Sequence, residues 1–569
     1  MTADRGPGAD QTRARGERAA LNAAENTRAG AERSPSSAAE NTRPSAERSP
    51  SGAAENMVVD AVETNVVDAV ETKVVEAVEA EVVDAVEAKV VGAVEKRLYV
   101  GGRWVDASGG RTFDVLDPAT GAKLCSVADA SPADGRAALD AAVAAQPAFA
   151  KTSPRERADM LTAAYELLLE RVDDLALLMT LEMGKPLAEA RGEIAYAAEF
   201  FRHFAGEAVR IDGGYQTAPA GNARFLIAKQ PVGPCLLITP WNFPMAMGTR
   251  KLGPAIAAGC TSVIKPAHQT PLSMLALMDI LAEAGVPAGA VNCVTAMDAG
   301  GVMEPLIRSG LARKLSFTGS TRVGRILLEQ CAEKVLRTSL ELGGNAPFIV
   351  FEDADLDEAV DGAIAAKMRN MGEACTAANR LFVHSSTIDE FGRRLAAKMS
   401  ALTVGRGTEP GVNVGPLIDE AGLDKVRSLV ADAVERGATV LTGGEVAGGN
   451  GYFYPPTVLT GVPRDAAMAD QEIFGPVAPL TPFETEEEVV AAANDTEWGL
   501  VAYVFTNDLR RALRVAESLE TGMVGLNQGI VSNPAAPFGG VKQSGLGREG
   551  GALGIDEYLE TKYIGIAMP

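Results

Sequence analysis

The polar and apolar positions of this chain fall into three regimes. Over residues 1–56 there is no helix or strand period; Ala-Ala-Glu-Asn-Thr-Arg and Ala-Glu-Arg-Ser-Pro-Ser recur among alanine, serine, proline and charge. Such a stretch cannot bury enough apolar surface to offset its ordering entropy, so it is expected to be disordered. Over residues 58–95 a Val-Val-x-Ala-Val-Glu unit repeats every eight residues, with copies starting at Val58, Val66, Val74, Val82 and Val90. Eight residues overshoot two helical turns, so the valine stripe drifts by about 80° per copy around a straight helix. That makes a poor coiled-coil seam, and β-branched valine is a weak helix former. A helical oligomerisation or partner-binding arm is one reading. The favoured expectation is a dispensable tail or an artefact of start-site choice.

The third regime begins near Lys96. Leu98-Tyr-Val-Gly-Gly-Arg-Trp-Val105 predicts a short strand pair with a Gly-Gly turn, and Asp117-Pro-Ala-Thr-Gly121 another turn. From Ser131 to Gly206 the period is helical, with N-cap signals at Ser131-Pro132 and Ser153-Pro154. Short apolar runs such as Cys235–Ile238, Thr261–Ile264 and Pro347–Val350 then alternate with amphipathic stretches. That alternation predicts an α/β architecture built on parallel sheets.

Composition narrows the function classes. A chain of 569 residues is long enough for roughly three or four domains. At 47% hydrophobic and 22% charged it reads as an ordinary enzyme with enough core to fold. A net charge of −22 argues against nucleic acid or an anionic membrane as partner, while leaving room for a small anionic substrate held by local arginines. The six cysteines contain no C-x-x-C pair, so no zinc or other metal site is expected and a reducing cytoplasm fits. No apolar run reaches the ~18–20 residues of a membrane span, and the polar N-terminus lacks a signal-peptide core.

Two segments carry the candidate chemistry. Cys375 lies in Arg369-Asn-Met-Gly-Glu-Ala-Cys-Thr-Ala-Ala-Asn-Arg380, and Glu341 in Leu340-Glu-Leu-Gly-Gly-Asn345. A thiol is a good nucleophile, and a carboxylate can activate water to release what the thiol has captured. Thr239-Pro-Trp-Asn-Phe-Pro244 follows a buried strand, and Lys265-Pro266 ends the next one, where open α/β sheets place ligands. Phe317-Thr-Gly-Ser-Thr-Arg-Val-Gly324 reads as strand end, glycine turn and helix start; Gly319 and Gly324 permit close backbone approach, and helix amides can hold a pyrophosphate. The G-x-x-x-x-G spacing is not G-x-G-x-x-G, so this loop alone is a weak signal.

Together with Glu472-Ile-Phe-Gly-Pro476 and Pro537-Phe-Gly-Gly-Val-Lys-Gln-Ser-Gly545, these segments resemble the aldehyde dehydrogenase superfamily over about residues 98–569. The closer resemblance is to succinate-semialdehyde dehydrogenases, whose C-terminal region is similar to Lys542–Gly550 and Gly554–Tyr563. The resemblance implies a Rossmann-like cofactor domain, a catalytic α/β domain and a β-arm oligomerisation element. It divides the chain into an extension over 1–97, a mainly NAD(P)-binding domain over 98–341 with an arm near 215–231, a catalytic domain over 342–526 and a C-terminal return over 527–569. A homodimer or homotetramer is implied.

The resemblance also implies roles. Cys375 is the nucleophile, Glu341 the general base, and Asn242 with the Cys375 amide the oxyanion site. Thr239, Pro240, Trp241, Lys265, His268, Gly319, Ser320, Gly324, Leu342, Glu472 and Phe474 hold the coenzyme, NADP or NAD. His268 stands where NAD-preferring relatives carry a ribose-binding glutamate; histidine removes a repulsion against a 2′-phosphate, and if protonated attracts it. Arg250, Arg369 and Ser532 match the carboxylate-holding positions, so the expected substrate is a small aldehyde bearing a carboxylate. Succinate semialdehyde leads; glutarate semialdehyde, a broad-range aldehyde activity and a catalytically silent scaffold are the alternatives. Two departures stand out. Glu373 replaces a frequent glutamine and would raise the thiol pKa unless turned away. Ala377 replaces the second cysteine that forms a redox-switch disulfide in some relatives.

Overall fold

A computed structural model describes residues 85–446 and 448–568. The expectations for residues 1–56 and for the first three valine repeats lie outside the described residues. Within them, Leu98–Val100 and Arg103–Val105 pair antiparallel about Gly101 and Gly102, the predicted hairpin. Both predicted N-caps also hold. Ser131 and Ser153 form capping boxes with Asp134 and Glu156 and open helices Pro132–Phe149 and Pro154–Glu170.

Two mainly parallel sheets organise the enzyme body. The first runs Arg103–Val105, Leu98–Val100, Val291–Cys293, Ser262–Lys265, Cys235–Ile238, Lys314–Thr318, Arg337–Glu341 and Gly545–Leu546. Its five central strands are parallel. Cys235–Ile238, Ser262–Lys265 and Lys314–Thr318 are buried throughout, as a parallel sheet covered on both faces requires. Successive strands step one way from Cys235–Ile238 and then the other way from Lys314–Thr318. This is a topological switch point, and the crevice beyond those strand ends is where such sheets bind ligands.

The second sheet runs Thr439–Thr442, Thr457–Thr460, Val477–Phe483, Ala378–His384, Ala346–Val350, Val501–Phe505 and Met523–Leu526, with only its first strand antiparallel. A third, antiparallel sheet joins Leu559–Ala567, Ala223–Pro231 and Gly214–Thr217. It leaves Tyr215, Leu226, Tyr563, Ile564 and Ile566 exposed.

Packing starts earlier than the division at residue 98. A helical stretch over 85–93 seats Val91 in the core, with Val90 and Val94 packed beside it. Glu87 pairs with Arg406 at 2.8 Å, and Arg406 also holds Asp117 at 3.0 Å. These residues thus pack against the body that begins at residue 98. The angular drift that spoils a long seam accumulates over several copies, whereas one copy needs only its own valines on one side. No described helix is long and apolar enough to cross a membrane.

Candidate active site

The chain crosses from the first sheet to the second at Leu342–Asn345. Glu341 is the last residue of its strand, and Cys375 lies in the turn just before Ala378–His384. Loops after Ile238 and Thr318 reach the same place from the switch point. One cavity of about 240 Å³ is lined from both sheets. It collects Cys375, Glu341 and Asn242; Pro240, Trp241, Gly319, Ser320 and Leu342; Glu472 and Phe474; and Arg250, Arg369 and Ser532. Thr239, Lys265, His268 and Gly324 lie outside its lining. Tyr196, Phe243, Lys425 and Phe538 line it without having been anticipated.

Cys375 is half-buried, and burial pushes its thiol up to about 12. Arg250 and Arg369 pull it down, while Glu472 and Glu341 push it further up. Glu373 is turned away: its Oε1 accepts the Ile418 amide at 3.1 Å, and burial holds its own carboxyl well above the usual range. The Asn242 Nδ2 donates to the Glu373 carbonyl at 2.8 Å, fixing that amide two residues from the thiol.

Glu341 is 2% exposed, and neither carboxyl oxygen has a hydrogen-bond partner among the described residues. An unpaired buried carboxylate is costly, so burial and then the nearby Glu549 raise its pKa well above the ordinary value. Lys251 donates to Glu549 at 2.5 Å, and Arg250 sits 3.9 Å from it. Those cations outweigh burial and keep Glu549 below the usual range. The two carboxyls are thus pushed apart, Glu549 towards the ionised form and Glu341 towards holding its proton.

The strand-end loops suit a dinucleotide. Ser320 caps helix Thr321–Ala332, and Gly319 has no room for a side chain, since a Cβ would lie 2.5 Å from Phe317. Gly324 packs closely on a neighbouring side chain: a Cβ there would strike Leu342 at 2.6 Å. Thr239 and Thr318 each bury a hydroxyl with no partner. Lys265 is buried at its strand end with no partner for its ammonium among the described residues, and burial lowers its pKa to about 8. Orphaned donors of this kind fit a polyhydroxylated, anionic ligand. His268 is half-buried, and burial followed by Lys265 lowers its pKa. Both disfavour an imidazolium in the absence of a facing anion, whereas the loss of a repelling glutamate needs no charge on the ring. Glu472 accepts the Gly344 amide at 3.2 Å and is raised to about 7 by burial. Phe474, at a φ of 56°, sets its ring edge-on to Trp241 at 5.4 Å.

Arg250 is buried among Phe538, Phe200 and Tyr196, with its carbon centre 4.1 Å from the Phe538 ring. Its Nη2 donates to the Tyr196 hydroxyl at 2.5 Å, while its buried Nε has no partner. Arg369 lies over Phe243 at 4.9 Å and Tyr196 at 5.6 Å, with no ion pair or hydrogen bond among the described residues. Glu189 is near enough to feel its charge. Two under-used guanidiniums, walled by rings, thus line the cavity that holds the thiol. No sequence motif marked Tyr196, which belongs to a helical apolar pattern that reads as plain core; Phe538 stands within the Pro537–Gly545 segment, but the resemblance assigns it no role there.

Comparison with known proteins gives the same answer. Residues 104–564 match the model of the aldehyde dehydrogenase family. The chain is 59% identical to a succinate-semialdehyde dehydrogenase of Paenarthrobacter nicotinovorans, over 78% of this chain and 99% of that protein. It is 52% identical to a glutarate-semialdehyde dehydrogenase of Pseudomonas putida, over 83% and 98%. A crystal structure of an E. coli NADP-dependent enzyme superposes with a TM-score of 0.83 at 52% identity, covering 84% of this chain and 98% of that one.

Proposed function

Since the chain belongs to the aldehyde dehydrogenase family, we propose that it oxidises succinate semialdehyde, or a close homologue such as glutarate semialdehyde, to the dicarboxylate with NADP or NAD. The observation that carries this reading is one cavity holding Cys375, the unpaired Glu341 and two under-used arginines together. Relatives of both substrate names stand at above 50% identity.

Each residue then has a task. Arg250, Arg369 and Ser532 hold the substrate carboxylate by charge-assisted hydrogen bonds. This leaves the aldehyde carbon at Cys375. Because burial holds the thiol protonated, attack requires a proton acceptor in the cavity, and Glu341 is unpaired there. The second Asn242 Nδ2 hydrogen and the Cys375 amide stabilise the thiohemiacetal oxyanion. The nicotinamide coenzyme, when bound, accepts the hydride from that carbon. Once Glu341 has passed the thiol proton to solvent, it takes a proton from water, which attacks the thioester; the carbon–sulfur bond breaks, the acid leaves and the Cys375 thiolate recovers a proton. Lys265, Glu472, His268, Thr239 and the Gly319–Ser320 turn hold the coenzyme, with Trp241, Pro240, Phe474 and Leu342 shaping its pocket.

Residues 98–341 serve mainly as the cofactor domain, supported by the switch point, and 342–526 as the catalytic domain. The three-stranded sheet, with its exposed tyrosines and isoleucines, suits pairing between subunits of a homodimer or homotetramer. All six cysteines are free, which supports a reducing cytoplasmic setting. A coenzyme-reduction assay should favour succinate or glutarate semialdehyde over an uncharged aldehyde of equal length. Equal rates would refute the acidic-substrate reading.

A further inference from the structure

The segment delivering Cys375 bends through backbone that few side chains accept. Asn370 and Met371 have φ of 55° and 54°, in the left-handed region where asparagine is among the tolerated residues. Asn370 is fully buried, and its Nδ2 donates to two carbonyl oxygens: that of Asn242 at 3.1 Å and that of Glu373 at 3.0 Å. The Glu373 carbonyl also takes Asn242 Nδ2 at 2.8 Å. The Asn242 carbonyl also takes Lys185 Nζ at 2.8 Å. Glu189 secures the Asn370 amide itself at 2.7 Å. Asn370 Oδ1 has no partner, so the reverse orientation of the amide would set oxygen against two oxygens and lose both bonds.

We propose that Asn370 is a positioning residue for the oxyanion site, locking the loop of Asn242 to the turn of Cys375 so that their two donors keep one spacing. This rests on the reading of Asn242 and the Cys375 amide as the oxyanion donors. The bridge closes a hydrogen-bonded ring between a loop of the first sheet and the approach to a strand of the second. One Asn242 Nδ2 hydrogen is committed to the Glu373 carbonyl, which leaves the other for the substrate oxygen. Without Asn370 the Asn242 and Glu373 carbonyls lose their common donor, and the Asn242 Nδ2 bond to the Glu373 carbonyl is left to tie the two segments alone. A shift of an ångström in such a constellation costs about 100-fold in rate.

Two substitutions separate the bridge from the bend. Asn370→Gly accepts the left-handed backbone and removes the amide; Asn370→Asp keeps the shape but replaces a double donor with a carboxyl. Both should lower the single-turnover rate of aldehyde oxidation by about 100-fold, with the aldehyde KM little changed. Asn370→Ser, which restores one donor, should recover part of the loss. Alkylation of Cys375 by iodoacetamide forms no oxyanion and should keep its wild-type rate in all three. Wild-type oxidation rates in the Gly and Asp variants would overturn the proposal. So would alkylation that falls as steeply as oxidation, because the thiol itself would then have moved. Asn242→Ala is the reference. If it retains its oxidation rate, the oxyanion reading fails; if it loses rate while the Asn370 variants keep theirs, only the role of Asn370 fails.

Discussion

Replacing Arg369 with methionine should convert a selective enzyme into an indifferent one. The guanidinium makes no ion pair or hydrogen bond among the described residues and rests against the Phe243 and Tyr196 rings. Removing it therefore breaks no described ion pair, and a methionine of similar length can keep the contact with both rings. What disappears is a charge-assisted hydrogen bond to the substrate carboxylate, worth about 1.5–3 kcal/mol. At about 1.4 kcal/mol per factor of ten, kcat/KM for succinate semialdehyde should fall about 10- to 100-fold. Arg369 also pulls the Cys375 pKa down, as the smallest of the four neighbouring charges that act on it. That loss slows every aldehyde equally and cancels in a ratio. The measurement is thus kcat/KM for the semialdehyde divided by that for an uncharged aldehyde of equal length, in both proteins. An unchanged ratio, with both aldehydes slowed alike, would show that Arg369 acts on the thiol or the fold and not on the carboxylate.

Four other outcomes follow from the same geometry. Glu341→Gln should lose the first-turnover release of reduced coenzyme as well as steady-state turnover, since both capture and hydrolysis need its base form; a full burst of about one reduced coenzyme per active site would remove Glu341 from capture, and sustained turnover would remove it from both steps. In the wild type the base form of Glu341 is lost as pH falls through its raised pKa, so steady-state rates should drop well above the ordinary glutamate value of 4.5, and a rate flat down to that pH would contradict the assignment. His268→Glu should lower the NADP-to-NAD ratio of kcat/KM by roughly tenfold through repulsion of the 2′-phosphate, and an unchanged ratio would show that the side chain does not face it. Deletion through residue 95 should cost about 2–3 kcal/mol of stability relative to deletion through residue 84, by exposing the Val91 site and freeing Arg406 from Glu87; equal melting temperatures would count against this docking.

Legibility from sequence followed the range of the interactions involved. Trp241, Asn242, Gly319 and Ser320 could be placed because a strand end, a turn and the next helix start are local signals, and the switch point brings those loops together. Cys375 and Glu341 could be paired because each stands in a distinctive run. Tyr196 and Lys185 could not be read, since each acts sideways on a residue more than fifty positions away and belongs to a helix or loop with no motif of its own. The valine repeat gave no sign of docking for a different reason: its seam is poor when averaged over five copies, while the last copy by itself seats Val91.

Glu373 shows how a local departure is resolved by a distant contact. A carboxylate two residues from the thiol would oppose its ionisation, and burial already holds Cys375 at about 12. The Ile418 amide, from a loop beyond the second strand of that sheet segment, takes one carboxyl oxygen, and burial favours the uncharged form of the rest. An uncharged Glu373 can substitute for glutamine without adding negative charge beside the thiol. The remaining opposition comes from burial itself, together with Glu472 and Glu341, and the two arginines offset only part of it. Binding an acidic substrate consumes that offset, because its carboxylate neutralises the same arginines. A resting thiolate is thus the wrong picture for this site: the proton must leave Cys375 as the bond forms, which makes the unpaired, proton-accepting state of Glu341 as necessary for capture as for release.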